Sequence, residues 1–140
     1  MSTKNVSQIA DSILKTSSFA EAKRILDGFD KNLQLECDGF TRVAGYILDQ
    51  QHVPYRAYVG HVRWNKKEFQ PHWWIVSQGK IIDYRLRMWF GPGAPHGIFP
   101  IRDYNSGEFK NDQMNVIYKG LPTNVKINSI IFSVLTGEIG

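Results

Sequence analysis

The stretch HWWIVSQGKIIDYR, from His72 to Arg85, decides how this chain folds. His72 to Val76 is aromatic and β-branched, Gln78-Gly79 can turn, and Ile81 to Tyr84 is apolar again around one acid. The pattern predicts a β-hairpin, with glycine supplying the positive φ of a tight turn. A two-residue loop at Gln78-Gly79 sets Ser77 opposite Lys80, Trp74 opposite Asp83 and His72 opposite Arg85. Side chains alternate faces along a strand, so these last four residues share one face. His72 and Asp83 are then diagonal neighbours, roughly 7–8 Å apart at the backbone, a gap their side chains can close. A carboxylate beside an imidazole orients a general base and stabilises its charged form. Such a base needs a nucleophile, and the chain contains one cysteine, Cys37.

The chain on either side reads as scaffold for that pair. Upstream, Cys37 opens a predicted helix running to about Gln51, with Phe40, Val43, Ala44, Ile47 and Leu48 as its apolar stripe. A first-turn position matters because free N–H groups and the positive end of the helix dipole stabilise an anion there. A thiol reacts as its anion. A free cysteine is also, more commonly, a small buried hydrophobe.

Earlier still, Val6, Ile9, Ala10, Ile13 and Leu14 predict a short amphipathic helix from Val6 to Lys15. Ser18 and Glu21 form a capping-box signature for a second helix ending near Asp27-Gly28, and Asp30 to Glu36 is a loop. After Val53-Pro54, alternation predicts a strand from Tyr55 to Trp64, and Asn65 to Glu68 is a polar connection into the hairpin. The Gly/Pro-rich run from Met88 to Gly97 reads as a loop whose aromatic residues, Trp89 among them, can wall a cleft. A further strand is expected around Asn115 to Lys119. Ile127, Ile130, Ile131, Val134 and Leu135, followed by Gly137, give a last helix.

At 140 residues the chain is long enough for one domain with its own core, residues 1–140. One cysteine excludes an internal disulfide and an all-cysteine zinc site within the chain. No apolar h-region and no window of about 18 apolar residues is present, so a non-membrane, cytoplasmic protein is expected. Net charge is +4, with Arg56, Arg63, Lys66, Lys67, Lys80, Arg85, Arg87 and Arg102 concentrated in the middle of the chain. These bases interleave with Tyr55, Tyr58, Trp64, Trp73, Trp74 and Trp89, a pattern that also suits single-stranded nucleic acid or an acidic protein partner. The spacing of His52, His61, His72 and His96 fits no familiar zinc pattern, so no metal or other cofactor is expected. His61 is the rival to His72 as a base but has no neighbouring acid comparable to Asp83 in the sequence.

Cys37, His72 and Asp83, in that order on helix, strand and next strand, resemble the transglutaminase-like branch of the papain-like cysteine enzymes. The resemblance runs through CDGFTRVAGYILDQQHVPYRAYVG, on Cys37, Phe40, Ala44, Leu48, Val53, Pro54, Arg56 and Gly60, and through HWWIVSQGKIID, on His72, Trp74 and Asp83. It covers roughly Cys37 to Phe99. Where the family often has Pro-Thr after its aspartate, this chain has Tyr84-Arg85-Leu86-Arg87. The resemblance implies an α+β fold, with N-terminal helices and a cysteine-bearing helix packed on an antiparallel sheet. It implies a Cys37-His72-Asp83 triad for acyl transfer on a protein or peptide amide: hydrolysis, deamidation or cross-linking. The family's oxyanion glutamine has no clear counterpart; Gln34 is a candidate by proximity, and the Cys37 backbone N–H is another. Asp38, Trp74, Trp89 and His96 complete the expected substrate-binding residues. The alternative is a binding module that performs no chemistry.

Overall fold

In the computed structural model the described residues are 3–137, with side chains described from residue 18 onward. The architecture is α+β: N-terminal helices packed on a seven-stranded antiparallel sheet that curls into a half-barrel. The elements are α1 (Thr3–Asn32), α2 (Cys37–Gln50), β1 (Arg56–Trp64), β2 (Lys67–Ser77), β3 (Lys80–Asp83), α3 (Leu86–Phe90), β4 (Gly97–Pro100), β5 (Asp103–Asn105), β6 (Glu108–Asn111), β7 (Val116–Thr123) and α4 (Ser129–Thr136). The strand order is β4-β3-β2-β1-β7-β6-β5.

The central hairpin has the predicted register: Ser77 faces Lys80, Val76 faces Ile81 and Ile75 faces Ile82. Gln78 (φ 53°) and Gly79 (φ 72°) both take positive φ, the conformation that matches a two-residue turn to the twist of its strands. Alternation then splits the sheet into two cores. Ala57, Ile75 and Ile82 join Ala22 and Leu26 of α1 and Phe40, Val43, Ala44, Ile47 and Leu48 of α2. Tyr58, Val62, Trp74, Ile81, Phe99, Phe109, Val116 and Tyr118 fill the other face. On that face Trp74 of β2 and Phe109 of β6 have ring centroids 6.5 Å apart, although β1 and β7 lie between their strands. Only a concave surface brings such residues together, so this aromatic cluster is the inside of the curl.

The close packing of β1 and β7 rests on two glycines. Gly60 stands opposite Gly120, and a Cβ on Gly60 would lie 2.3 Å from the Lys119 carbonyl oxygen. The β1–β2 register slips between Gly60 and Val62, a bulge of the kind that bends a sheet.

Several expectations are corrected. The helices expected at Val6–Lys15 and after Ser18 are one, α1, which runs through the Ser18/Glu21 signature and through Gly28 to Asn32. Tertiary burial of Ala22 and Leu26 outweighs the roughly 1 kcal/mol intrinsic penalty of a helical glycine. The side chains from Val6 to Leu14 lie outside those described. The expected loop at Met88–Gly97 begins inside α3, and Leu86 and Phe90 of that short helix are buried. Arg85 does not pair with His72; β3 ends at Asp83 and Arg85 caps α3. Among the described residues no helix is long and apolar enough to cross a membrane.

Candidate active site

Three elements meet at the site. Helix α2 begins at Cys37, with Glu36 as N-cap. The Glu36 side chain makes no capping hydrogen bond, and the first turn carries the acid Asp38. The first regular backbone bond of the helix is Phe40 N–H to Glu36 O, so the N–H groups of the preceding turn stand at the helix mouth. Cys37 is 4% exposed, and its carbonyl accepts from the Thr41 hydroxyl.

His72 and Asp83 come from β2 and β3, on the parity of Trp74 and Ile81, which puts both on the inner face of the curl. Both side chains are buried, that of His72 0% exposed and that of Asp83 1%. His72 Nε2 lies 2.7 Å from Asp83 Oδ2. Asp83 is held from two further sides. The Tyr118 hydroxyl donates to Oδ2 at 2.7 Å, and the Arg85 backbone N–H donates to Oδ1 at 3.0 Å. A buried carboxylate carries a large desolvation cost unless its lone pairs are filled, and here His72 of β2, Tyr118 of β7 and the Arg85 backbone at the start of α3 supply the three partners.

Burial works against the charged imidazole, but the Asp83 carboxylate overrides it by charge and hydrogen bond, and the nearby Cys37 thiol adds to the effect, raising the His72 pKa to about 9. Burial likewise pushes the Asp83 carboxyl up, and the His72 charge and hydrogen bond, with the Arg85 N–H and the Tyr118 hydroxyl, bring it below its usual value. Burial and the adjacent carboxylate drive the Tyr118 phenol well above its ordinary range, so it remains a donor. Near neutrality the pair is therefore imidazolium and carboxylate.

The second ring nitrogen, Nδ1 of His72, is buried and has no hydrogen-bond partner among the described residues. With Nε2 committed to Asp83, Nδ1 is the atom left to face the thiol. Cys37 is near enough to influence the charge of the ring without forming a bond that satisfies Nδ1. Catalytic hydrogen bonds are often loose in unliganded sites and tighten around substrate.

The other expected site residues divide. Gln34 and Asp38 are exposed on either side of Cys37. Trp89 stacks on Phe69 at 4.0 Å between centroids, and Phe69 is edge-on to His72 at 6.3 Å, so Trp89 belongs to an aromatic ledge beside the imidazole. Trp74 is fully buried and stacked on Tyr58; it supports the sheet from within and has no face free for a ligand. His96 is paired with Asp30, its Nε2 2.7 Å from Oδ2, on a cleft of about 420 Å³ shared with Lys23, Asp27, Lys31 and Tyr84. His61 is 3.8 Å from Glu68 at the surface and has no link to Asp83. The interleaved bases and aromatics do not form one platform, since Tyr58, Trp74 and Arg85 are buried while Arg63, Lys66, Lys67 and Arg87 are exposed. Among the described residues no three His, Cys, Asp or Glu side chains gather as a metal site.

Two site residues escaped the sequence. Tyr118 lies in the strand expected at Asn115–Lys119, but no local signal ties its hydroxyl to an acid 35 residues earlier. Hairpin alternation places Arg85 on the ladder opposite His72, whereas its guanidinium turns to the loop before Cys37. Comparison with family models, with curated proteins and with solved structures finds no match for this chain.

Proposed function

We propose that this protein is a cysteine-dependent enzyme of amide acyl transfer, built on a transglutaminase-like, papain-like core, with a protein or peptide amide as substrate. The observation that carries this reading is the buried His72–Asp83 pair, its second ring nitrogen unpartnered and the lone thiol acting on the same ring.

In the reaction so read, His72 holds on Nδ1 the proton that the Cys37 thiol has given up, so that thiolate faces imidazolium before substrate arrives. The sulfur forms a bond to the amide carbonyl carbon, and the carbonyl electron pair moves to oxygen. The uncapped first turn of α2, with the Cys37 N–H foremost, offers donors to that oxyanion. Collapse breaks the C–N bond, and His72 gives its proton to the leaving amine. Water or a second amine, deprotonated by the same nitrogen, then attacks the thioester and releases the thiol. Asp83 holds the ring and balances its charge throughout. The ledge of Phe69 and Trp89 gives the acyl chain or its neighbours an apolar wall.

The test is the rate of Cys37 carboxamidomethylation by iodoacetamide in the native protein near neutral pH. The reading expects facile labelling that slows by about tenfold or more in His72→Ala, within the range general bases contribute. Labelling that occurs only after unfolding in urea, or a His72→Ala rate equal to wild type, would remove the enzyme and leave a binding domain.

A further inference from the structure

The nucleophile and the acid sit on segments far apart in the chain, and one residue, Arg85, links the acid to the loop that leads into Cys37. Arg85 is 8% exposed. Its backbone N–H donates to Asp83 Oδ1 at 3.0 Å. Its guanidinium turns the other way, toward the four-residue loop joining α1 to α2. Nε donates to Leu35 O at 2.5 Å and Nη2 to Leu33 O at 2.9 Å. Nη1 donates to Asp30 Oδ1 at 2.6 Å and to Tyr84 O at 2.7 Å. The guanidinium carbon also lies 4.1 Å from the centroid of Phe40, one turn beyond Cys37 on α2.

Those contacts account for the shape of the loop. The carbonyls of Leu33 and Leu35 would otherwise be loose acceptors in a segment without regular structure, and α2 has no side-chain cap to hold its first turn. A guanidinium presents five donors in a rigid plane and stays charged at every accessible pH. Lysine has a point charge on a flexible stem and cannot hold the two carbonyls and Asp30 together. Asp30 supplies the balancing charge, and its other oxygen is already held by His96.

We propose that Arg85 is a positioning residue that sets the start of α2, and with it the Cys37 sulfur, against the His72 ring. The inference rests on the Cys37-His72-Asp83 reading above and adds to it the device that keeps nucleophile and acid in register. Arg85 makes no hydrogen bond to the sulfur; it acts through the loop carbonyls and through Asp83.

The experiment compares iodoacetamide rates at Cys37 at about pH 6 and about pH 9 in wild type, Arg85→Lys, Arg85→Met, Asp30→Asn and His72→Ala, each with its urea transition. A purely structural role would move the urea midpoint and leave the rate ratio of the folded protein alone. The expected result is a pH 6 to pH 9 ratio that falls by about tenfold in Arg85→Met, toward His72→Ala, with partial recovery in Arg85→Lys. Asp30→Asn, on the outer side of the clamp, is expected to lower the ratio by about threefold and carries the test should both Arg85 variants fail to fold. Folded variants with the wild-type ratio would overturn the positioning role while leaving the triad standing. A wild-type ratio already equal to that of His72→Ala would overturn both.

Discussion

Tyr118 and His72 share one acceptor: the phenol hydroxyl and the imidazole Nε2 each lie 2.7 Å from Oδ2 of Asp83. A carboxylate oxygen with two lone pairs can take both. The phenol thereby stiffens an acid that would otherwise be free to rotate about its own side-chain bond. Tyr118→Phe removes the hydroxyl without leaving an unpaired donor. We expect a loss of about 1–2 kcal/mol, since the bond is to a charged group, and a slower Cys37 alkylation in the folded protein. Urea titration and the iodoacetamide rate measure the two effects separately.

Stability should depend on pH from both partners. The folded His72 pKa is raised from 6.5 to about 9, so its contribution is complete below pH 6.5 and disappears as pH rises through 9. The folded Asp83 pKa is lowered, so its contribution is present above the ordinary carboxylate value and is lost as pH falls toward the folded one. Urea midpoints should therefore be highest in the weakly acid to neutral range. The alkaline decline, on the order of 3 kcal/mol by linkage, should be largely absent in His72→Gln. A wild-type midpoint that is flat from neutrality to pH 10 would contradict the charged pair.

The two tryptophans should separate packing from substrate contact. Trp74→Ala empties the inside of the curl and is expected to cost about 3–5 kcal/mol. Trp89→Ala strips the partner from Phe69 at a half-buried position and should cost less, about 1–2 kcal/mol. Its larger effect is expected on the reaction of Cys37 with bulky aromatic haloacetamides relative to iodoacetamide. Equal effects of Trp89→Ala on both reagents would take the ledge out of the substrate site.

Gly60→Ala places a methyl 2.3 Å from the Lys119 carbonyl oxygen, and both are backbone-borne, so neither can swing aside. Overpacking of this kind costs about 1–3 kcal/mol or more, and His72 is the β2 partner of Gly60. A lowered urea midpoint together with slower thiol labelling is expected. Gly28→Ala meets nothing within 4 Å and lies inside α1, so it should stabilise by about 0.5–1 kcal/mol.

Local pattern carried the central elements. The hairpin register followed from Gln78-Gly79, because a two-residue turn permits one pairing. The extent of α2 followed from its apolar stripe. Those two elements put His72 and Asp83 on one face and Cys37 at a helix start, so the candidate triad is legible in the sequence. The short strands β4, β5 and β6 were not, because three or four residues give too little periodicity to mark a strand. The fate of Gly28 was not either: a helix breaker is overruled only by burial against α2 and the sheet, which no window of neighbours records.

The sequence by itself determined the residues that can do chemistry and the elements that bear them, since alternation and helical spacing are properties of adjacent residues. Tertiary structure alone decided that Tyr118 closes on Asp83, that Arg85 leaves its strand to grip the loop before Cys37, and that Trp74 is sealed inside the curl. Each depends on contacts between segments tens of residues apart, where hydrogen bonds form only because burial has removed water as a competitor.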